Sequence, residues 1–194
     1  MELIEKLQAL RATPVFFTKD AHAHGISSAQ LSYYAKLKLI QRIRHGVYKF
    51  SDYEEPFFQW EDLIETALSI KSGVICLTSA LAVYEITDQL PRQHWIAIDH
   101  NTSIKVKPEV RLTRTRNIEL GKTEIDLMGT KIPIFDRERT IIDTFRFLGP
   151  EIAISSLKSA LENKKDPISI PKIQAYAKKF RVRIEPYLMA LVIE

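Results

Sequence analysis

Apolar side chains recur at helical spacing along the first forty positions of the chain. Leu3, Leu7 and Leu10 share one helical face, and Leu31 and Tyr34 share another further along. The two phenylalanines between these stretches are expected to form only a short apolar link. The pattern predicts three helices, over residues 2–11, 19–24 and 28–39.

Residues that favour helix ends mark the limits of the second and third helices. Thr18 is expected to cap the second helix, and Gly25 is a typical C-terminal stop. Ser27 and Gln30 have the spacing of a capping box, which predicts the start of the third helix. The two helices are therefore joined by a short turn at a glycine.

A small hairpin is predicted to follow. Residues 39–50 alternate in part between apolar and polar side chains, and the alternation breaks at His45 and Gly46. Helix, glycine turn, helix and hairpin, in this order, are typical of a winged helix-turn-helix. The polar residues 52–56 end in proline and suggest a linker. We therefore predict a winged helix-turn-helix DNA-binding domain over residues 1–52 and a second domain over residues 57–194.

The second domain mixes helical and strand patterns. A helical stripe lies at residues 60–68, and Thr78 or Ser79 is expected to cap a helix that continues through Ile86. Further on we predict strands over 94–99 and 110–116, a hairpin over 124–135, a helix capped by Asp136, and helices over 151–162, 170–180 and 184–192. The predicted fold class is α+β, with an N-terminal winged helix-turn-helix before a larger mixed α+β domain that ends in helices.

Positive charge is concentrated near the start of the chain. Residues 1–52 hold eight lysines and arginines against four acidic residues, and the rest of the chain holds twenty of each sign. The whole net charge of +4 therefore lies in the first segment. Such asymmetry is typical of a protein with a polyanionic partner, either nucleic acid or an anionic membrane. A solvated basic surface without a partner explains the charge distribution equally well.

The third helix and the hairpin supply the candidate DNA contacts. At about 100° per residue, Leu31, Tyr34, Ala35 and Leu37 fall on one side of the helix, which predicts its buried face. Serine hydroxyls on the other side suit bases or phosphates, and a small alanine suits a thymine methyl group. Wing arginines suit the DNA backbone or the minor groove. The candidate contact residues are Ser28, Ala29, Ser32, Tyr33 and Lys36 on the helix and Arg42, Arg44, His45 and Lys49 on the hairpin.

No catalytic pattern is found in the second domain. It contains neither a phosphate-binding glycine loop nor a nucleophile elbow. Asp136, Glu138, Arg139 and Asp143 crowd one stretch, which a helix cap and an i, i+4 ion pair explain. The alternative is a nuclease that uses the carboxylates between Glu124 and Asp143. We expect no catalytic residue, no cofactor and no metal site.

The single cysteine and the absence of long apolar runs indicate the compartment. Cys76 lies in an apolar stretch, which indicates a buried and inert thiol. No apolar run approaches the length of a membrane span, and the first residues do not have the pattern of a signal peptide. The sequence therefore predicts a cytoplasmic protein without a membrane partner.

Three stretches resemble a known protein family. Residues 17–27, followed by Gly46-Val-Tyr, are similar to the winged helix-turn-helix that opens AbiEi-type antitoxins. Residues 73–86 resemble the start of that family's second domain. Residues 132–143, in which Arg139-Thr is followed by Ile-Ile-Asp, resemble a later segment of it. The order and spacing of the three matches extend the resemblance over about residues 1–165.

The resemblance implies the antitoxin of a bacterial type IV toxin–antitoxin pair, a class linked to phage defence. Its winged domain would bind inverted repeats in double-stranded operator DNA and repress its own operon, as a monomer or as a cooperative pair on DNA. Its C-terminal domain would counteract a nucleotidyltransferase-like toxin, with or without a stable complex. The alternative is a stand-alone winged-helix transcriptional regulator whose C-terminal domain senses a ligand or a partner.

Overall fold

The computed structural model describes residues 6–13, 15–52, 60–88 and 91–192 of the 194-residue chain. Helices and strands are both abundant in these ranges, and the protein is α+β as predicted. The start of the predicted first helix and most of the predicted linker lie outside the described residues.

The chain divides into two compact units. The first consists of residues 1–71 and 125–132, and the second of residues 72–124 and 133–194. The first unit is therefore longer than the predicted winged domain. The domain boundary predicted at residues 52–57 precedes this division and stays a prediction.

In the first unit, a short helical turn leads to two helices, a hairpin and a further helix. The elements are a 3₁₀ helix Ala9–Ala12, β1 Phe16–Phe17, α1 Thr18–Ala23, α2 Ser28–Lys36, β2 Ile40–Arg44, β3 Val47–Phe50 and α3 Glu61–Ser69. The strands form an antiparallel sheet in the order β1-β3-β2. Tyr34 and Tyr48, which are 4% and 6% exposed, belong to the core that this sheet and the helices enclose.

Two predictions for the start of α1 are wrong for a shared reason. Phe16 and Phe17 are not a link, because they form β1 and pair with β3. Phe17, rather than Thr18, is the N-cap residue, and its N–H donates to the Asp20 carboxylate at 2.8 Å. Pairing with a strand distant in sequence keeps the backbone extended to Phe17, so the helix begins immediately after it.

After Lys71, a mixed sheet is followed by four helices. The elements are β4 Val74–Ile75, α4 Leu77–Val83, β5 His94–Asp99, β6 Val110–Thr115, β7 Lys122–Leu127, β8 Thr130–Phe135, α5 Arg137–Phe147, α6 Pro150–Glu162, α7 Ile170–Phe180 and α8 Glu185–Val192. The strand order is β6-β5-β4-β8-β7. Strand β5 is parallel to β6 and antiparallel to β4, which is parallel to β8.

The helix α4 differs from its prediction at both ends. Its N-cap residue is Cys76, and neither Thr78 nor Ser79 caps it. The Ser79 hydroxyl instead accepts a hydrogen bond from the N–H of Trp95 at 2.9 Å. The helix also ends at Val83, short of its predicted end. A cap prediction uses only neighbouring residues, whereas this hydroxyl is needed by a strand that comes later in the chain.

The core of the second unit is built around α5. Its residues Ile141 and Ile142 are completely buried and belong to one apolar cluster with Leu157 of α6, Ile173 of α7 and Leu188 of α8. The apolar faces of these four helices therefore meet in one core. In the part of the chain that the structure describes, no helix is both long and apolar enough to cross a bilayer.

Cys76 is expected to be inert in the folded protein. Its side chain is 1% exposed, and burial raises the pKa of its thiol above the ordinary value. Raising the pH to about 9, where an ordinary thiol is largely ionised, should therefore leave the native protein unlabelled by a disulfide reagent. The same reagent should titrate one thiol per chain in denaturant. Rapid stoichiometric labelling of the native protein would contradict the burial of this residue.

Candidate nucleic-acid interface

A glycine turn connects α1 to α2 in the first unit. Gly25 has a φ of +74°, and the N–H groups of Gly25 and Ile26 donate to the carbonyl oxygens of His22 and Ala21, both at 2.9 Å. This is a Schellman closure, in which the left-handed residue is most often glycine. The predicted stop at Gly25 is confirmed, and it leads the chain directly to the cap of α2.

The helix α2 is held at both ends. The Ser27 hydroxyl accepts a hydrogen bond from the N–H of Gln30 at 3.3 Å, and the Gln30 side chain accepts one from the N–H of Ser27 at 2.7 Å. The predicted capping box is therefore confirmed. The helix ends at Lys36 rather than near Leu39, because Lys38 adopts a left-handed φ of +58°.

The outer face of α2 contains all of its predicted contact residues. Leu31 and Tyr34 are buried on the inner side, as predicted. Tyr33 is 58% exposed, so its ring and hydroxyl are available to a partner. The exposed residues that were predicted as contacts are Ser28, Ala29, Ser32, Tyr33 and Lys36. The helical periodicity therefore predicted the orientation of α2 correctly.

These exposed side chains form two rows along α2, in each of which residues are four positions apart. The rows are Ser28, Ser32 and Lys36, which are polar, and Ala29, Tyr33 and Leu37, which are mainly apolar. The prediction that Leu37 faces the core is wrong: Leu37 is 51% exposed because it is the C-cap residue, where the helix ends. Continuation of the spacing from Ala29 and Tyr33 is the sequence signal that could have revealed it.

The hydroxyls of the polar row have partners within the unit. The Ser32 hydroxyl donates to the carbonyl oxygen of Ser28 at 3.0 Å. The Ser28 hydroxyl lies 3.0 Å from Nε2 of His22, an exposed residue of α1. His22 was not among the predicted contacts. The turn at Gly25 brings it beside the start of α2, and its position in the sequence gave little indication of this.

The predicted hairpin is confirmed, and its turn is anchored. The two strands flank His45 and Gly46, and the carbonyl oxygen of Gly46 accepts a hydrogen bond from the N–H of Thr18 at 3.0 Å. Arg42 and His45 are exposed. Arg44 is half-buried, and its Nε has no hydrogen-bond partner among the described residues. A shift in the pairing register between Arg42 and Arg44 bends this edge of the sheet.

Lys49 differs from the other predicted hairpin residues. It is half-buried, and its ammonium group forms an ion pair with Glu65 of α3. The charge of Lys49 therefore serves the packing of the unit, and the residue is not free as a DNA contact in this conformation. Because Glu65 lies beyond the predicted linker, sequence patterns in the first 52 residues contained no indication of this pair.

The first unit retains a group of free cations near α2 and the hairpin. Arg11 is held by Asp52 at 2.7 and 2.9 Å and is therefore neutralised. From residue 21 to residue 51 the sequence contains no aspartate or glutamate. Among the described residues, the cations of this segment without an ion-pair partner are Lys36, Lys38, Arg42 and Arg44. This surface can attract an anionic polymer and contact its phosphates.

The second unit contains the acidic stretch that suggested a nuclease. Asp136 caps α5 as predicted, accepting a hydrogen bond from the N–H of Arg139 at 2.7 Å. Its second oxygen accepts a hydrogen bond from the Tyr176 hydroxyl at 2.8 Å and lies 3.2 Å from Nζ of Lys172. Burial, together with this hydrogen bond to Asp136, raises the pKa of Tyr176 to about 12.

Glu138 holds the start of α7 against α5. Its carboxylate accepts a hydrogen bond from the N–H of Ser169 at 2.9 Å and lies 3.2 Å from Nζ of Lys172. Burial alone would raise the pKa of Glu138, but these partners outweigh burial and hold the pKa below its ordinary value. For Lys172, burial is likewise outweighed by the two carboxylates, which raise its pKa.

The predicted Arg139–Asp143 pair is confirmed and is fully buried. Arg139 is 0% exposed and Asp143 is 3% exposed. Asp143 accepts hydrogen bonds from Nε of Arg139 at 2.8 Å and from Nη1 of Arg146 at 2.5 Å. The carboxylates on α5 and its cap thus bind cations and backbone groups of their own unit.

Among the described residues, no group of three or more histidine, cysteine, aspartate or glutamate side chains could hold a metal ion. In comparisons with known proteins, no family model matches the sequence and no curated protein matches it significantly.

Proposed function

We propose that the first unit is a winged helix-turn-helix that binds operator DNA and represses the operon that encodes it. In this proposal, α2 enters the major groove and the β2–β3 hairpin lies along the backbone or in the minor groove. The observation that carries the proposal is the outer face of α2, which is exposed, begins at a complete capping box and is adjacent in sequence to a hairpin with two arginines that have no ion-pair partner among the described residues. Binding to operator DNA would take place in the cytoplasm.

We further propose that the chain is an antitoxin of the AbiEi type, whose second unit counteracts a nucleotidyltransferase-like toxin. Resemblance over residues 17–27, 73–86 and 132–143 supports this part. The contacts of Asp136, Glu138 and Asp143 also support a role without catalysis, since each carboxylate already binds partners in its own unit.

Binding to the DNA upstream of the gene tests the first proposal. A fluorescently labelled duplex of that region is titrated with the purified protein, beside a scrambled duplex of the same composition, at several salt concentrations. We expect clear preference for the native duplex and a steep fall of affinity with salt. Equal and weak binding to both duplexes would overturn operator recognition.

Co-expression with the neighbouring toxin gene tests the second proposal. We expect the full chain to restore growth of cells that express the toxin. A variant deficient in DNA binding should restore growth equally well when it is expressed from an independent promoter, because neutralisation is assigned to the second unit. If neither protein restored growth, the antitoxin proposal would be overturned. The stand-alone transcriptional regulator would then be the hypothesis to test.

The apolar row of α2 leads to a prediction about the operator. In the major groove only thymine presents an apolar group, its methyl, and Ala29, Tyr33 and Leu37 offer apolar surface to it. Replacing operator thymines by deoxyuridine should weaken binding about fourfold for each contacted methyl, at about 0.8 kcal/mol per buried group. The same replacement in the flanking DNA is the control. Unchanged affinity for an operator fully substituted with deoxyuridine would contradict this contact.

A further inference from the structure

Arginines and aromatic rings alternate through the second unit in a continuous stack. The guanidinium carbon of Arg139 lies 4.4 Å from the ring centre of Phe135 and 4.1 Å from that of Phe180. That of Arg146 lies 4.3 Å from the ring centre of Phe180 and 4.6 Å from that of Phe147. Each guanidinium is therefore held between two rings, where cation–π attraction favours it.

The stack begins in the core and ends at the surface. Phe135 is 1% exposed, whereas Phe147, the last ring, is 44% exposed. Because Asp143 binds both arginines, the guanidinium groups are fixed by hydrogen bonds as well as by the rings. The exposed Phe147 ring therefore packs against a guanidinium that Asp143 holds in place.

This exposed ring belongs to a hollow of about 580 Å³. Arg146, Arg181 and Arg183 line it, together with aromatic residues that include Phe180 and Tyr187, and none of the described residues that line it is acidic. The hollow is open to solvent, and its volume is in the range of small-ligand sites. The hollow thus combines aromatic surface with three cationic groups.

Two of these arginines are not used by the fold. The side chains of Arg181 and Arg183 are exposed and have no ion-pair or hydrogen-bond partner among the described residues. Lys178 and Lys179 precede them in the last turn of α7, and the sequence contains no acidic residue between Asp166 and Glu185. The positive charge here exceeds what the C-terminal end of α7 favours, and the two arginines are available to bind an anion.

We propose that this hollow binds a nucleotide. The base stacks on the exposed ring of Phe147, and the phosphate is held by Arg181 and Arg183. A nucleotide presents a planar base and a phosphate together, so it would use both the aromatic surface and the cationic groups of this site. A free nucleotide and a nucleotide within single-stranded RNA present the same chemistry. The site lies in the second unit and is independent of the operator surface proposed for the first.

Calorimetric titration with ATP and with inorganic tripolyphosphate separates stacking from charge. We expect the full chain to bind ATP more tightly than tripolyphosphate. Phe147→Leu should weaken ATP binding about fivefold or more, as for loss of one base–aromatic stack, and leave tripolyphosphate binding unchanged. Phe147→Tyr should retain binding. Arg181→Ala with Arg183→Ala should weaken the binding of both compounds, whereas Lys105→Ala with Lys107→Ala, two exposed lysines elsewhere on the unit, should change neither.

A labelled single-stranded RNA of ten nucleotides distinguishes the two sources of nucleotide. It is measured with the Lys36→Ala, Arg42→Ala variant, which removes two cations of the first unit. Tighter binding of the RNA than of ATP, lost on Phe147→Leu, would assign the hollow to RNA, and the reverse order would assign it to a free nucleotide. Equal binding of ATP and tripolyphosphate, insensitivity to Phe147→Leu, or binding of neither ATP nor RNA would overturn the proposal.

Discussion

Replacing Asp143 by alanine is expected to destabilise the folded protein by about 3–5 kcal/mol. The carboxylate is buried and accepts hydrogen bonds from Arg139 and Arg146. Without it, the guanidinium of Arg139, which is completely buried, would lose its counter-charge. Urea unfolding followed by circular dichroism measures the effect as a fall in the midpoint at an unchanged slope.

Glu162→Ala is the matched control for this change. It also removes a carboxylate that pairs with a cation, but Glu162 and Lys158 are exposed and their charged atoms are 3.9 Å apart. An exposed pair of this kind contributes at most about 1 kcal/mol, and the control should be nearly neutral. If Asp143→Ala and Glu162→Ala lowered the free energy of unfolding by similar small amounts, solvent or neighbouring groups would be compensating the charge of Arg139. Asp143 would then not be what holds the stacked arginines in place.

Features that depend on nearby residues were predicted well. The capping box at Ser27 and Gln30, the cap at Asp136 and the helix over residues 170–180 each need only a few consecutive side chains. The i, i+4 pair of Arg139 and Asp143 was found for the same reason. Local rules therefore gave these caps, where no distant segment competed for the same groups, but they placed the end of α2 near Leu39 instead of at Lys36.

Features that depend on distant partners were not predicted. The sequence suggested that Arg139 pairs on α5, but not that Phe135 and Phe180 enclose it completely, since Phe180 is brought in by α7. The strand at Phe16 and Phe17 likewise depends on pairing with β3. In both cases the missing information is a tertiary contact, which periodicity and capping rules do not contain.

In the candidate interface, too, local features were predicted and features that depend on distant residues were not. Helical periodicity correctly selected the exposed face of α2, because burial alternates with the turn of the helix. It could not show that Lys49 would bind Glu65, or that Arg44 would be half-buried while Arg42 is exposed. Of the predicted cations, Lys36 and Arg42 are therefore the best placed to contact phosphates, and they define the sharpest test of the surface.

The double variant Lys36→Ala, Arg42→Ala is expected to weaken binding to the upstream duplex by about tenfold or more at low salt. Each exposed cation that neutralises a phosphate contributes about one unit to the slope of log affinity against log salt, so the slope should fall by about two. Fluorescence anisotropy over a series of salt concentrations measures both quantities. The folded state should be little affected, because neither residue has an ion-pair partner among the described residues and the change removes only an exposed hydrogen bond of 3.4 Å from Arg42 to the carbonyl oxygen of Arg44.

The control for this prediction must remove the same charge from another place. Lys105→Ala with Lys107→Ala does so in the second unit, where both lysines are exposed. If the first unit alone binds DNA, the control should leave the salt slope unchanged, because its lysines touch no phosphate. Equal loss of affinity and slope in the two double variants would mean that net charge alone drives binding. The outer face of α2 would then have no special role, and the proposal of an operator-reading helix would fail.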